Sequence, residues 1–215
     1  MQVTRWLLFC GILAAAVYIG ADIAAATLFY PGYDYGAQQV SELSAIGAPS
    51  RPFWMIMGYP YTLLLLTFAA GVWQASAGRL SLKATAIILG LFALNGFIWG
   101  FVAPMHMRGT TFTDTDTMHI GFAIAAVVLI LGQIGFGAAA LGRGFRIYSA
   151  LTVLAMLVAG GVVSTQVGKI AANEPTPWMG LVERVSVHGA MVWIAVFAAM
   201  LLRRQVRTTA WLAVA

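Results

Sequence analysis

His119–Leu141 reads HIGFAIAAVVLILGQIGFGAAAL, a run without a single Asp, Glu, Lys or Arg. The hydrocarbon core of a bilayer is about 30 Å thick and takes roughly 20 apolar residues of helix to cross. The run is therefore a membrane span, and the chain on either side repeats the pattern. Apolar segments of similar length lie at approximately 6–30, 53–76, 84–103, 148–169 and 182–202, separated by polar breaks. Composition agrees: 61% of the residues are hydrophobic and 9% charged, against about a quarter charged in a soluble globular chain. The predicted fold is all-α, a polytopic membrane protein built as a six-transmembrane-helix bundle. Residues 1–215 form one integral membrane domain, because six spans leave no room for a soluble one. The first span shares Arg5 and the Ala24-Ala25-Ala26 tract with signal peptides. It is long for such a segment and interrupted by Asp22, so it reads as a retained span. Cys10 is the only cysteine, which excludes a disulfide or a thiolate metal site within the chain.

Basic residues mark the cytoplasmic ends of spans. Arg5, then Arg79 and Lys83, then Arg143 and Arg146, then Arg203, Arg204 and Arg207 fall at alternate span ends. Those ends, with both termini, are predicted to be cytoplasmic. The net charge of +5 then reflects orientation and attraction to anionic lipid, and no nucleic-acid partner is required. Every acid and every histidine lies in the opposite half, as do Arg51, Arg108, Lys169 and Arg184. The expected localisation is the cell membrane, multi-pass, with the polar motifs on the extracytoplasmic side.

Three stretches there carry candidate chemistry. In FYPGYDYGAQQVSELSAIGAPSRPFW (29–54), Tyr30-Pro31-Gly32 ends the first helix. Val40, Leu43 and Ile46 are spaced for a short interfacial helix. Ser41, Glu42 and Ser44 cluster where the loop can fold over the bundle mouth, with Glu42 as general base or metal ligand. In the second stretch, Thr113 or Asp114 caps the fourth span and Asp116 suits its positive dipole end. Asp116 and His119 are three apart, hence neighbours on one helix face, able to orient each other or share a metal. In the third, Glu183 and Arg184 open the last span and His188 lies one turn deeper. An ionisable residue inside a span faces a protein interior or a cavity, and Asp22 falls under the same rule. Its candidate partners are Lys169, Arg184 or a histidine. Asn95, Gln133, Ser164, Thr165 and Gln166 are expected to hydrogen-bond between helices.

If the outer ends of spans one, four and six converge, Glu42, Asp116, His119 and His188 form a catalytic set. Ser41, Ser44, Arg51, Glu183 and Arg184 would hold the substrate. Asp116, His119 and His188 have the ligand types for a divalent metal such as zinc, although no compact signature such as H-E-x-x-H is present.

Three motifs carry a resemblance: YDYGAQQVSELSAIGAPSRP, PMHMRGTTFTDTDTMHIGFA and GLVERVSVHGAMVW. Their layout resembles the prokaryotic six-helix membrane family catalogued as domain of unknown function 998, which implies a fold and no activity. More distantly, the chain is similar to the alkaline ceramidase and adiponectin-receptor superfamily of metal-dependent membrane hydrolases. It departs from them in having six spans and, in the last, only His188. It is also similar to eukaryotic membrane proteins of lipid-anchor remodelling.

The leading functional expectation is a metal-assisted hydrolase or remodelling enzyme acting on lipid or a lipid-linked substrate. The alternative is a lipid-binding scaffold or a small-solute or proton-coupled transporter without catalysis. A b-type haem between His119 and His188 is a third reading. Membrane lipid is the partner in the first two, and nothing in the pattern speaks to oligomeric state.

Overall fold

The computed structural model describes residues 2–212, the side chains of 171 and 206–212 excepted, so the side chain of Arg207 lies outside the description. The described residues form seven α-helices: α1 Gln2–Leu28, α2 Arg51–Gln74, α3 Leu80–Val102, α4 Asp114–Ala139, α5 Arg143–Ser164, α6 Val167–Ala171 and α7 Met179–Leu212. All except α6 are long and apolar enough to cross a membrane. A 3₁₀ helix at Val40–Ser44 interrupts the first loop, and no strand occurs among the described residues. Several boundaries differ from expectation. The third, fourth and fifth spans begin earlier, at Leu80, Asp114 and Arg143; the fifth stops at Ser164, so Lys169 falls in the short α6, and the last begins at Met179, upstream of Val182.

Between lipid-solvated helices there is no hydrophobic drive to associate, so close contact between small residues replaces it. The buried face of α1 is accordingly mostly small: Gly11, Ala14, Ala15, Ala21, Ala25 and Ala26, with Leu8 and Asp22 among them. Gly71 of α2 faces Leu7 and Leu8 so closely that a Cβ there would meet their atoms at 2.8–2.9 Å. α1 packs on α2 and α7, α2 on α3, α3 on α4, and α5 on α7, whereas α4 touches α5 and α7 only sparingly. The largest core cluster reaches the end of the bundle that carries the short basic loops, where Phe145, Trp193 and Phe197 stack and Trp193 Nε1 donates to Ser149 Oγ at 2.9 Å.

Of the polar residues expected between helices, Asn95 does so, donating to the Phe122 carbonyl at 3.3 Å. Ser164 and Thr165 instead donate to carbonyls of their own helix, three residues back, where a hydroxyl near a helix end finds the nearest acceptor. Gln133 is fully buried and neither amide atom has a partner among the described residues.

Candidate functional site

At the end of the bundle that holds all the acids, the loop 29–50 packs against α1, α2 and α7. Asp22 is fully buried two turns inside α1. It receives Arg184 as a fork, Nη2 to Oδ1 and Nε to Oδ2, both 2.8 Å. Arg184 Nη1 donates to the carbonyls of Tyr35, Gln38 and Gly180, each at 3.1 Å. Nη2 also reaches Tyr33 Oη at 2.9 Å, and the Tyr35 ring lies 3.6 Å from the guanidinium carbon. Tyr35 Oη donates to Asp22 Oδ2 at 3.1 Å. Burial raises both tyrosine hydroxyls above the ordinary phenol value, so they remain donors. His188 Nε2 approaches Asp22 Oδ2 to 2.9 Å but off the N–H axis, making an electrostatic contact and no hydrogen bond.

A second fork closes the loop from the other side. Arg108 donates through Nη2 to Glu42 Oε1 at 2.7 Å and through Nε to Oε2 at 3.1 Å. Its Nη1 meets Thr176 Oγ1 at 2.9 Å, and Glu42 Oε1 also accepts the Gln39 N–H at 2.9 Å. Glu42 is 2% exposed, so an acid in a polar loop became a buried counter-ion. Arg51 donates to the carbonyls of Ser44 and Gly100.

Beside this loop lies a cavity of about 760 Å³, between α2, α3, α4, α5 and α7. Its rim carries Ser41, Ser44, His106, Asp116, His119 and Glu183, and its deeper walls are aliphatic and aromatic. Asp116 does not engage His119. As the third residue of α4 it turns back, accepting the Thr113 N–H and Oγ1 at 2.9 Å each on Oδ2. It also accepts the His106 backbone N–H on Oδ1 at 2.7 Å and contacts His106 Nδ1 at 2.9 Å. The His106 segment is clamped to the first loop by the Ile46 N–H on the Met105 carbonyl at 2.8 Å. His119 Nδ1 sits 2.9 Å from both Trp99 Nε1 and the Ala103 carbonyl. One nitrogen can accept from the indole or donate to the carbonyl, not both, so two tautomers compete there. The Glu183 carboxylate accepts the Val40 N–H at 2.6 Å.

The structure thus splits the expected constellation. Asp116, His119, Glu183, Ser41 and Ser44 share the cavity; Glu42, His188, Asp22, Arg51 and Arg184 do not line it. His119 lines the cavity whereas His188 faces Asp22, so the two imidazoles do not border that cavity together. Among the described residues no three His, Cys, Asp or Glu side chains gather as a metal site; Asp116 is turned to His106, and His188 to Asp22, so the zinc set of Asp116, His119 and His188 is not assembled. Arg184 and Arg51, expected to hold the substrate, bond to groups of the chain itself. Of the partners expected for Asp22, Arg184 and a histidine are present. Sequence reasoning passed over Arg108 and assigned no partner to His106. The one available signal was that a buried acid in each outer loop needs a cation or a donor from another loop.

The chain matches the family model described as protein of unknown function (DUF998) over residues 12–200. Neither a curated protein nor a solved structure matches it. With nearly the whole bundle covered, the chain is a multi-pass membrane protein that belongs to the DUF998 family.

Proposed function

We propose that the protein binds a bilayer lipid, taking an acyl chain sideways into the cavity between α4 and α5 with the polar part of the lipid at the acidic end. The observation that carries this reading is the stand-off of α4. Between Asp114 and Ile130 the helix buries only Asp116 and Ile130 itself, while Ile120, Ala123, Ile124 and Val127 line the cavity. From Asp116 to Leu131 the cleft follows α4 for about 22 Å at ~1.5 Å per residue. That is longer than the roughly 15 Å occupied by the tails of one leaflet. On α5, Gly160 and Gly161 keep the opposite wall low; a Cβ on Gly161 would meet nothing within 4 Å. The groove lies between membrane-spanning helices, so lipid tails are what surround its opening. The tendency of basic residues to stay cytoplasmic supports a reading in which the acidic end, and with it the polar part of the lipid, faces the extracytoplasmic side.

Gly160→Phe tests this. A ring there enters the cleft, because the only atom near its Cβ is Ser186 Oγ at 3.9 Å. Native mass spectrometry of the detergent-purified full chain is expected to show retained lipid, reduced several-fold in Gly160→Phe at unchanged unfolding temperature. A wild-type chain that keeps no lipid, or a variant that keeps as much, sinks the reading.

A further inference from the structure

We propose that His106, oriented by Asp116, is the general base of an esterase that hydrolyses an acyl ester of a bilayer glycerolipid. This rests on the lipid-binding reading of the cavity and extends it to chemistry.

Three geometric facts lead there. First, the Asp116 carboxylate accepts from the His106 backbone N–H and from both donors of Thr113, an arrangement that suits the ionised form, since a carboxylate only accepts. The 2.9 Å contact with His106 Nδ1 then requires the proton on Nδ1. That leaves the lone pair on Nε2, the tautomer a general base needs. Second, Nε2 has no partner among the described residues, and the His106 side chain is 28% exposed. Third, the imidazole and its carboxylate lie on the rim of the acyl cleft, where the polar part of a lipid whose tail fills the aliphatic walls would sit. A carboxylate that only capped α4 would need the Thr113 N–H and nothing more. Here it fixes both the backbone and the ring of one histidine ten residues away.

The same rim selects the substrate class. No Lys or Arg lines the cavity, and Arg51, Arg108 and Arg184 bond to groups of the chain itself. A phosphoryl centre at the reaction site would have no cation to meet its charge, whereas the carbonyl of a carboxylic ester is neutral until attacked. His106 Nε2 takes a proton from water as the water oxygen bonds to the ester carbonyl carbon. The tetrahedral oxyanion collapses, breaking the acyl C–O bond. The imidazolium returns its proton to the leaving alkoxide. Products are a fatty acid and an alcohol, and no redox partner or metal is consumed.

The test uses the full chain in nanodiscs of palmitoyl-oleoyl phosphatidylethanolamine and phosphatidylglycerol, reading free fatty acid and lyso-lipid by mass spectrometry. The wild type is expected to release both, with a kcat/KM that depends on pH. His106→Gln, close in shape, and His106→Ala are expected to lose at least a hundred-fold, the low end of the ~10²–10⁴ that a positioned base contributes. Asp116→Asn keeps an acceptor for the His106 backbone but no longer holds the Nδ1–H tautomer. It is expected to lose activity while retaining bound lipid, and to shift or abolish the pH profile. Lipid retention separates the two readings. A wild type that holds lipid but releases no fatty acid overturns the esterase and leaves the binding site standing, as do His106 variants that keep both lipid and full activity. A wild type that holds no lipid and releases none overturns both.

Discussion

Arg184 offers five N–H donors, and Asp22, Tyr33 and three backbone carbonyls accept them. A charge pair this deep, 4% and 0% exposed, is costly to break because the survivor stays buried and unpaired. Arg184→Met is therefore expected to destabilise the protein by about 3–5 kcal/mol, read as a shift in the detergent-solubilised unfolding transition. Asp22→Leu combined with Arg184→Met is expected to recover most of that, since both charges leave together. A single variant as stable as wild type would mean that Asp22 needs no cation. That Asp22 needs a partner was legible, because an ionisable group in a span is expensive wherever it occurs. Which partner it takes was not, since Arg184 is 162 residues away in sequence. Asp116 shows the opposite error: helical spacing put His119 on its face, but the carboxylate turned back towards the helix start, where unpaired N–H groups and His106 wait.

The loop at 29–50 behaves as a structural element although only five of its residues are helical. Val40 and Leu43, spaced for an interfacial helix, are buried in a 3₁₀ turn, whereas Ile46 is 40% exposed. A three-residue spacing suits either geometry, and Arg184 and Arg108 tie the segment to the protein through the Tyr35 and Gln38 carbonyls and Glu42. Gly180, in the first turn of α7, makes that docking possible. A Cβ there would overlap the Gln38 carbonyl oxygen and meet that of Tyr35 at 2.7 Å. Both carbonyls are Arg184 acceptors, so neither can retreat without loss. Gly180→Ala is expected to lift the loop, costing about 1–3 kcal/mol as an overpacked contact does. Amide hydrogen exchange should accelerate across 33–45 and at the Leu181 N–H, which now bonds the Gly36 carbonyl at 3.2 Å. Unchanged exchange in that window would show that the loop does not depend on the close approach.

For the whole molecule, sidedness decides which leaflet the cavity mouth meets. On a Cys10→Ser background, Thr111→Cys in the exposed loop before α4 is expected to react with an impermeant maleimide in intact cells. Gly142→Cys, exposed with open space around its Cβ, is expected to react only after permeabilisation, and the reverse pattern would move the cavity mouth to the cytoplasm. The number of spans, and the separation of acids and histidines from the basic loops, were readable in the chain itself. Hydropathy and charge act on each segment locally, against a solvent whose thickness is known in advance. What the fold alone decided is which polar groups meet. Forks between Asp22 and Arg184 and between Glu42 and Arg108, the dyad of His106 and Asp116, and the stand-off of α4 that opens the cavity depend on how six helices pack. Between apolar helices in lipid that packing is set by small-residue contacts and buried pairs distant in sequence, which no local pattern encodes.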